Sequence, residues 1–141
     1  AMACQVLLLP AGDGRMDNKQ VLVVDDDELT TVLMGRYLGA MGVGSITVQD
    51  GEEALRMLKE RRDQVGLVLL DLAMPRLDGY QVCKQIRADP DLADLPVVVL
   101  TARVGAEARE RALEAGVNEI LTKPFSREDI LRVLNSYLLV T

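Results

Sequence analysis

The sequence predicts an α/β protein: a doubly wound parallel sheet of five strands, covered by helices on both faces. From Gln20 onward, strand-like and helix-like segments alternate five times along the chain. Three of the strand-like segments are nearly continuous runs of valine and leucine, which is typical of parallel strands buried on both faces. Right-handed crossovers between such strands place the connecting helices on the two faces of the sheet.

The predicted strands are short and each is followed by apolar residues at helical spacing. They comprise residues 21–24, 45–48, 67–70, 97–100 and 119–121. The helices that follow are predicted to start near Leu29, after the Asp50-Gly51 turn, at Tyr80, at Ala106 and at Ser126.

Local signals indicate where several of these helices end. Gly42 and Gly116 follow the first and fourth helical patterns, and glycine is the commonest residue just beyond a helix. Pro90 ends the third, since the residue before a proline avoids helical geometry. The fifth begins at Ser126, whose spacing to Asp129 is that of a capping box, and its apolar pattern continues to Leu138.

Composition limits the function classes. The chain has 141 residues, of which 49% are hydrophobic, and its net charge of −6 argues against nucleic-acid binding by this segment. It contains no histidine, and its two cysteines, Cys4 and Cys83, indicate neither a disulfide framework nor a zinc site. No apolar run reaches membrane-spanning length, so a reducing cytoplasm is expected.

The first eighteen residues differ from the rest. They carry Pro10, Gly12 and Gly14 without sustained periodicity, and Met16 resembles a natural start placed just before the first strand. We therefore expect residues 1–18 to be an N-terminal extension that is disordered or vector-derived, and residues 19–141 to form one domain.

Chemically distinctive residues follow four of the predicted strands. Asp25 and Asp26 follow the first, Asp71 the third, Thr101 the fourth, and Lys123 comes shortly after the fifth. Two carboxylates ~4 Å apart repel by about 4 kcal/mol at an effective dielectric near 20, so such a cluster needs a proton, a basic partner or a cation. In doubly wound sheets the carboxyl ends of the strands bind ligands. These residue types suit phosphoryl transfer.

The motifs around these positions, taken together and in order, resemble the receiver domain of two-component response regulators. The resemblance covers Lys19 to Leu138. It is carried by Val23-Val24-Asp25-Asp26, by the segment DLAMPRLDG at 71–79, by Leu100-Thr101-Ala102, and by Thr122-Lys123-Pro124-Phe125.

The resemblance implies a flavodoxin-like strand order, 2-1-3-4-5. It also implies that Asp71 accepts a phosphoryl group from a phosphohistidine of a sensor histidine kinase or phosphotransfer protein. Mg²⁺ is the implied cofactor, held directly by Asp26, mainly through water by Asp25, and by Asp71 and the backbone carbonyl of Ala73.

The same resemblance implies how phosphorylation would become a signal. Lys123 would contact the phosphoryl oxygens, and Thr101 would turn its hydroxyl toward them. The change would alter the face formed by the fourth helix, fifth strand and fifth helix, which would control an output domain or partner and would also suit a homodimer. The implied Lys123-Pro124 bond is cis.

Simpler interpretations stand beside these. Asp27 is expected to cap the first helix, and Asp78-Gly79 to start the third. Taken alone, Asp71, Thr101 and Lys123 would be an exposed acid, a satisfied hydroxyl and a solvated lysine at strand ends. Remaining residues are expected to be structural: Cys83, Met34, Met41, Met57 and Met74 as core side chains, and Arg61-Arg62 as a solvated helix end.

Ile120 departs from the family pattern, and Ala73 and Arg103 stand at two positions that, in the family, help to set how fast the acyl phosphate hydrolyses. Ile120 stands where the family has an aromatic residue or histidine, so an inward-rotating ring cannot be the switch. Ala73 has no polar side chain. Arg103 would either reach over the phosphoryl group or pair with Glu107.

The leading hypothesis is a phosphorylation-dependent signalling switch, which is a regulatory domain and not an enzyme. A protein-interaction scaffold with the same fold, in which phosphorylation is minor, is the alternative, and Ile120 favours it. A phosphatase with an aspartyl nucleophile is disfavoured, because that chemistry wants a second acid where Ala73 stands.

Overall fold

Five parallel strands form one sheet in the order β2-β1-β3-β4-β5, which confirms the predicted topology. The structure is a computed structural model that describes residues 19–74, 76–102 and 105–138. The strands are β1 (Gln20–Val24), β2 (Ser45–Val48), β3 (Val65–Asp71), β4 (Val97–Thr101) and β5 (Glu119–Thr122). Strands β1, β3 and β4 lie in the middle of the sheet and carry almost wholly buried residues.

Helices connect successive strands and cover both faces. They are α1 (Glu28–Ala40), α2 (Gly51–Arg61), α3 (Gly79–Ala88), α4 (Ala106–Ala115) and α5 (Arg127–Val133). A 3₁₀ turn (Arg62–Gln64) precedes β3, and a π-helical segment (Leu134–Leu138) continues α5.

Alternate residues of the central strands supply two hydrophobic cores. Leu22 and Val24 belong to the core under α2, α3 and α4, whereas Val21 and Val23 belong to the core under α1 and α5. All four side chains are fully buried. Because successive strand residues face opposite ways, continuous apolar strands are what this two-sided burial requires.

Three acidic residues and one serine cap helices at the carboxyl edge of the sheet. The side chains of Asp27, Asp50, Asp78 and Ser126 accept backbone N–H bonds at the starts of α1, α2, α3 and α5. The predicted Ser126–Asp129 capping box is present. These caps satisfy N–H groups that would otherwise lack partners in the first turn.

The predicted helix ends are also confirmed. Gly42 and Gly116 adopt φ values of +79° and +95°, a backbone region that favours glycine. Asp89, which precedes Pro90, leaves the helical region with φ −93° and ψ 118°.

Two predicted boundaries differ from the structure by two residues or more, and several others differ by one residue. Strand β3 starts at Val65 instead of residue 67. Gly66 lowers the strand propensity of this segment, which is why the prediction left residues 65 and 66 out, and it packs closely beside Leu138, since a Cβ there would lie 2.6 Å from Leu138 Cδ1. The predicted fifth helix to Leu138 is α-helical only to Val133 and then continues as the π-helical segment.

The expectations for structural residues are largely confirmed. Cys83 is buried, as are Met34, Met41 and Met74, whereas Met57 is only partly buried against the core. Arg61 and Arg62 are exposed, but Arg62 is not merely solvated: its Nη1 lies 2.9 Å from Asp91 Oδ2.

Arg87 ties together loops at the amino edge of the sheet. Its guanidinium donates to the backbone carbonyls of Gly116, Ala93 and Leu95 and to the side-chain carbonyl of Asn118. Asn118 Oδ1 also accepts the backbone N–H of Val97 at 2.7 Å. One side chain of α3 therefore fixes the segments before β4 and before β5.

The predicted N-terminal extension, residues 1–18, lies outside the described residues. Among the helices of the described chain, none has the length and apolar character needed to cross a membrane.

Candidate functional site

Four neighbouring strands deliver the predicted site residues to one edge of the sheet. Asp71 and Thr101 are the last residues of β3 and β4, Asp25 follows β1 directly, and Lys123 follows β5 directly. The backbone N–H of Lys123 donates to the carbonyl of Thr101 at 2.8 Å, which holds the start of the β5–α5 loop beside the end of β4. The structure thus brings these residues together, as the sequence predicts.

Three carboxylates converge at this edge. Asp25, Asp26 and Asp71 each offer one oxygen, and these oxygens lie within 4.8 Å of one another. Asp25 is fully buried and Asp71 is 6% exposed, whereas Asp26 is open to solvent. Carboxylates this close repel unless a positive charge lies among them.

Lys123 supplies a positive charge. Its ammonium lies 3.0 Å from Asp25 Oδ2 and 3.7 Å from Asp71 Oδ1, and its side chain is only 24% exposed. The interpretation of Lys123 as a freely solvated strand-end lysine is therefore wrong. Its nearer partner is Asp25, and its contacts with Asp25 and Asp71 make Lys123 a bridge between two acids.

The acidic triplet divides between two roles. Asp27 caps α1, because its side chain accepts the N–H of Leu29 at 3.1 Å and the hydroxyl of Thr30 at 2.8 Å. The hydrogen bond from Thr30 lowers the pKa of Asp27. The backbone N–H of Asp27 in turn donates to Asp25 Oδ1 at 2.9 Å. With Lys123 on Oδ2, both oxygens of the buried Asp25 carboxylate are paired.

The surroundings of Asp71 make its carboxyl group harder to ionise than that of an ordinary aspartate. Burial, and next the charge of Asp25, raise the pKa of Asp71 to about 6. The charge of Lys123 and the N–H of Ala73, which donates to Asp71 Oδ1 at 3.3 Å, act in the opposite direction. Burial also acts to lower the pKa of Lys123, but its hydrogen bond to Asp25 and the charge of Asp71 raise it overall.

The loop after Asp71 returns tightly to the same strand end. The N–H of Gly79 donates to the carbonyl of Leu72 at 3.1 Å, and a Cβ at position 79 would lie 2.6 Å from the carbonyl oxygen of Asp71. Only glycine permits this approach. The prediction that Asp78-Gly79 starts the third helix is confirmed, and the contact also sets α3 directly against the Asp71 backbone.

Sequence reasoning missed two contacts near this edge. Arg76, in the β3–α3 loop, pairs with the α2 cap Asp50. Tyr80, in the first turn of α3, lies under the guanidinium of Arg111 of α4, 4.0 Å from the ring centroid. Both contacts link residues far apart in the chain, and no motif contains both partners of either contact.

The remaining predicted positions are placed as follows. Ile120 pairs with Val99 in the sheet and is partly buried against the core under α2, α3 and α4. The Lys123-Pro124 peptide bond is cis, as the resemblance implies. Arg103, for which two roles were open, lies outside the described residues.

The donor set suits a hard divalent cation. Carboxylate oxygens are the ligands such ions prefer, and three of them face one another at an edge where one acid is exposed enough to admit an ion. The residues present therefore fit Mg²⁺.

Comparison with known proteins gives a consistent result. The family model described as "Response regulator receiver domain" matches residues 21–135. The response regulator MprA of Mycolicibacterium vanbaalenii is 41% identical over 119 residues, covering 84% of this chain and 50% of that protein. The Mycobacterium leprae MprA is 40% identical with the same coverage. The chain thus spans about half the length of the curated relatives it matches.

Solved structures agree with the sequence comparison. The Vibrio cholerae chemotaxis protein CheY4 superposes with a TM-score of 0.80 at 28% identity, covering 85% of this chain and 98% of that one. The receiver domain of the Pseudomonas aeruginosa sensor histidine kinase PA1611, described with a magnesium ion in its active-site cleft, gives a TM-score of 0.79 at 31% identity, covering 86% and 98%. With its fold, its strand-end acids and these likenesses in agreement, the chain belongs to the response regulator receiver domains, the signalling domains of two-component systems.

Proposed function

We propose that this domain is a phosphorylation-dependent switch in which Asp71 accepts a phosphoryl group from a phosphohistidine of a sensor histidine kinase or phosphotransfer protein. The observation that carries the proposal is the placement of Asp71: a nearly buried carboxylate, within reach of two further acids and of the Lys123 ammonium. With a pKa raised to about 6, Asp71 is largely ionised at neutral pH and can act as a nucleophile.

Phosphoryl transfer to Asp71 would be a substitution at phosphorus. A carboxylate oxygen of Asp71 forms the new O–P bond while the P–N bond of the phosphohistidine breaks. The electron pair of that bond stays on the imidazole nitrogen, which then takes a proton from solvent. The product is an acyl phosphate on Asp71.

The surrounding residues prepare the site. Asp26 and Asp71, the backbone carbonyl of Ala73, and Asp25 acting mainly through water would hold Mg²⁺. When bound, this ion offsets the charge of the acids and of the incoming phosphoryl group. Lys123 would shift from its bridge between Asp25 and Asp71 to the phosphoryl oxygens, where an ammonium binds as a point charge.

Thr101 would carry the change to the surface. It ends β4, immediately before the loop to α4, so a turn of its hydroxyl toward the phosphoryl group would pull that loop inward. Ile120 supplies no aromatic ring to follow it. The face of α4, β5 and α5 would then change shape and control an output domain or partner, or a homodimer. An output domain is supported by the relatives, because the matched region is only about half of their length.

Phosphorylation of the purified domain tests the site. With Mg²⁺ and acetyl phosphate, intact-mass spectrometry should show one added phosphoryl group on the wild type and none on Asp71→Asn. Asp78→Asn is the matched control, because it neutralises an acid of the same loop and asparagine still caps α3. Wild-type incorporation by Asp71→Asn would show that another residue is the acceptor.

Ile120 favours one alternative, a receiver-fold scaffold for protein interaction in which phosphorylation is minor. A Mg²⁺ titration with beryllofluoride, a phosphoryl mimic, separates the two functions. The switch requires that the domain bind Mg²⁺ and beryllofluoride together. A wild-type domain that binds no Mg²⁺, even with beryllofluoride present, would favour the scaffold.

A further inference from the structure

The loop that carries Ala73 is fastened to a neighbouring loop outside the acid cluster. Arg76 Nη2 lies 3.2 Å from Asp50 Oδ2, and Asp50 is the residue that caps α2. The two oxygens of Asp50 have separate tasks: Oδ1 accepts the N–H of Glu53 at 2.8 Å, and Oδ2 accepts from Arg76. The ion pair therefore joins the β3–α3 loop to the start of a helix.

A second contact fixes the same junction independently of charge. Gly51, the first residue of α2, is buried, and a Cβ there would lie 2.8 Å from the carbonyl oxygen of Leu77. The backbone of α2 thus touches the residue next to Arg76. An ion pair and a backbone contact on adjacent residues hold this loop against α2.

The backbone of Arg76 is strained in the conformation that allows its ion pair with Asp50. Arg76 adopts φ +66°, and within the described chain it alone among non-glycine residues has a positive φ. A side chain in this region is strained, whereas glycine would not be. Such strain persists where surrounding contacts impose it, and it is concentrated at functional sites. Here the ion pair with Asp50 is the favourable contact that offsets the strain at Arg76.

We propose that the Asp50–Arg76 ion pair and the Gly51–Leu77 contact form a clamp that positions the β3–α3 loop for cation binding at the Asp25, Asp26 and Asp71 cluster. Arg76 is then a positioning residue: it acts on the cation through the backbone at Ala73, three residues before it. This inference rests on the proposed function, since it concerns the Mg²⁺ site of the same switch.

The clamp and simple charge repulsion predict opposite effects on Mg²⁺ affinity when the charge of Arg76 is removed. Arg76 is a positive charge in the loop that follows Asp71, so its removal should by Coulomb's law strengthen Mg²⁺ binding. If Arg76 instead holds the loop in place, its removal weakens binding. Asp50→Asn weakens binding under either explanation, so the Arg76 variants are decisive.

The experiment is a titration of the isotopically labelled domain with Mg²⁺ alone, followed by amide NMR shifts. Arg76→Gln and Asp50→Asn should each raise the Kd about two- to five-fold, the range expected for losing one partly exposed ion pair. The double variant should be no worse than either single one, because both remove the same contact. Arg76→Lys, which keeps the charge, should restore most of the affinity.

Two further variants separate positioning from a general effect on the fold. Arg62→Gln breaks the exposed Arg62–Asp91 pair away from the site and should leave the Kd unchanged. Arg76→Gly relieves the positive φ, so its melting temperature should not fall although its Mg²⁺ binding weakens. A purely structural role would move both quantities in the same direction.

The results that overturn the clamp are distinct from those that overturn the proposed function. Wild-type or tighter Mg²⁺ binding by Arg76→Gln, with a wild-type domain that binds Mg²⁺ normally, refutes the clamp alone. A wild-type domain that binds no Mg²⁺, even with beryllofluoride, refutes the switch and the clamp with it.

Discussion

Replacing Asp71 by asparagine should stabilise the domain, and the gain should grow with pH. Burial and the charge of Asp25 raise the pKa of Asp71 from 3.8 to about 6 in the folded chain. A folded state that holds its proton more tightly than the unfolded state is favoured at low pH. The contribution of protonated Asp71 to the free energy of unfolding is therefore fully present below pH 3.8 and is lost as pH rises through about 6.

The size of the effect follows from the two pKa values. Each tenfold change in the ionisation constant corresponds to about 1.36 kcal/mol, so a rise from 3.8 to about 6 makes ionised Asp71 cost about 3 kcal/mol of folding free energy. At pH 5 roughly half of this cost is expressed, and above pH 7 nearly all of it. Asparagine has a side chain of the same size but no charge, so the variant does not lose this folding free energy.

The assay is urea unfolding followed by far-UV circular dichroism, since the chain contains no tryptophan. Wild type and Asp71→Asn are compared from pH 4.5 to 8, about the range over which the charge develops, with EDTA present. The variant should gain about 2–3 kcal/mol over the wild type at pH 7.5 and much less at pH 4.5. Asp78→Asn serves as the control and should run parallel to the wild type.

Parallel stability profiles for the wild type and Asp71→Asn would refute the reasoning, because they would mean that folding does not perturb the ionisation of Asp71. Adding Mg²⁺ gives an internal check. A ligand that binds only the folded state stabilises it, so Mg²⁺ should raise the stability of the wild type and narrow its gap to the variant.

Three further substitutions test the surrounding contacts. Lys123→Met should destabilise the domain by about 2–3 kcal/mol in urea unfolding, because it leaves the fully buried Asp25 without its ammonium partner; an unchanged midpoint would show that Asp25 is otherwise neutralised. Arg87→Met should cost about 2–4 kcal/mol in the same assay, since several carbonyl acceptors lose their donor at once; Arg132→Met, which removes one exposed pair, is its control. Gly79→Ala should cost about 1–3 kcal/mol and broaden the NMR signals around Asp71, because its Cβ meets a backbone carbonyl that cannot rotate away; a wild-type spectrum would contradict the close approach.

The fold and the acid cluster could be predicted because their signals are local. Runs of valine and leucine marked the central strands, and the residue that ended each strand marked the site. The alternation of strand and helix then required those ends to meet. Asp27 shows the same logic, since its position before a helical pattern predicted its cap.

The parts that could not be predicted depend on pairs distant in sequence or on packing. The Asp50–Arg76 pair joins residues 26 positions apart, and its two members belong to loops with no common motif. The two-residue extension of β3 was missed because glycine lowers strand propensity, and the close packing of Leu138 beside Gly66 cannot be read from the local sequence. Lys123 was expected to contact the phosphoryl oxygens, and its pairing with Asp25, which lies nearer to its ammonium than Asp71 does, was not foreseen.

The aspartate caps have a consequence for the kinetics of encounter. Asp27, Asp50 and Asp78 cap three helices at the edge that also holds the acid cluster, and of these three only Asp50 is described in an ion pair, with Arg76. Asp27 and Asp78 therefore add negative charge near Asp71. Phosphoryl donors are anions, and a like-charged entrance slows their approach over distances of about one Debye length. Added salt should therefore speed the first collision, the reverse of the usual behaviour of electrostatically steered partners. A donor with a basic surface would not be slowed in this way, so the capping aspartates would favour such a donor.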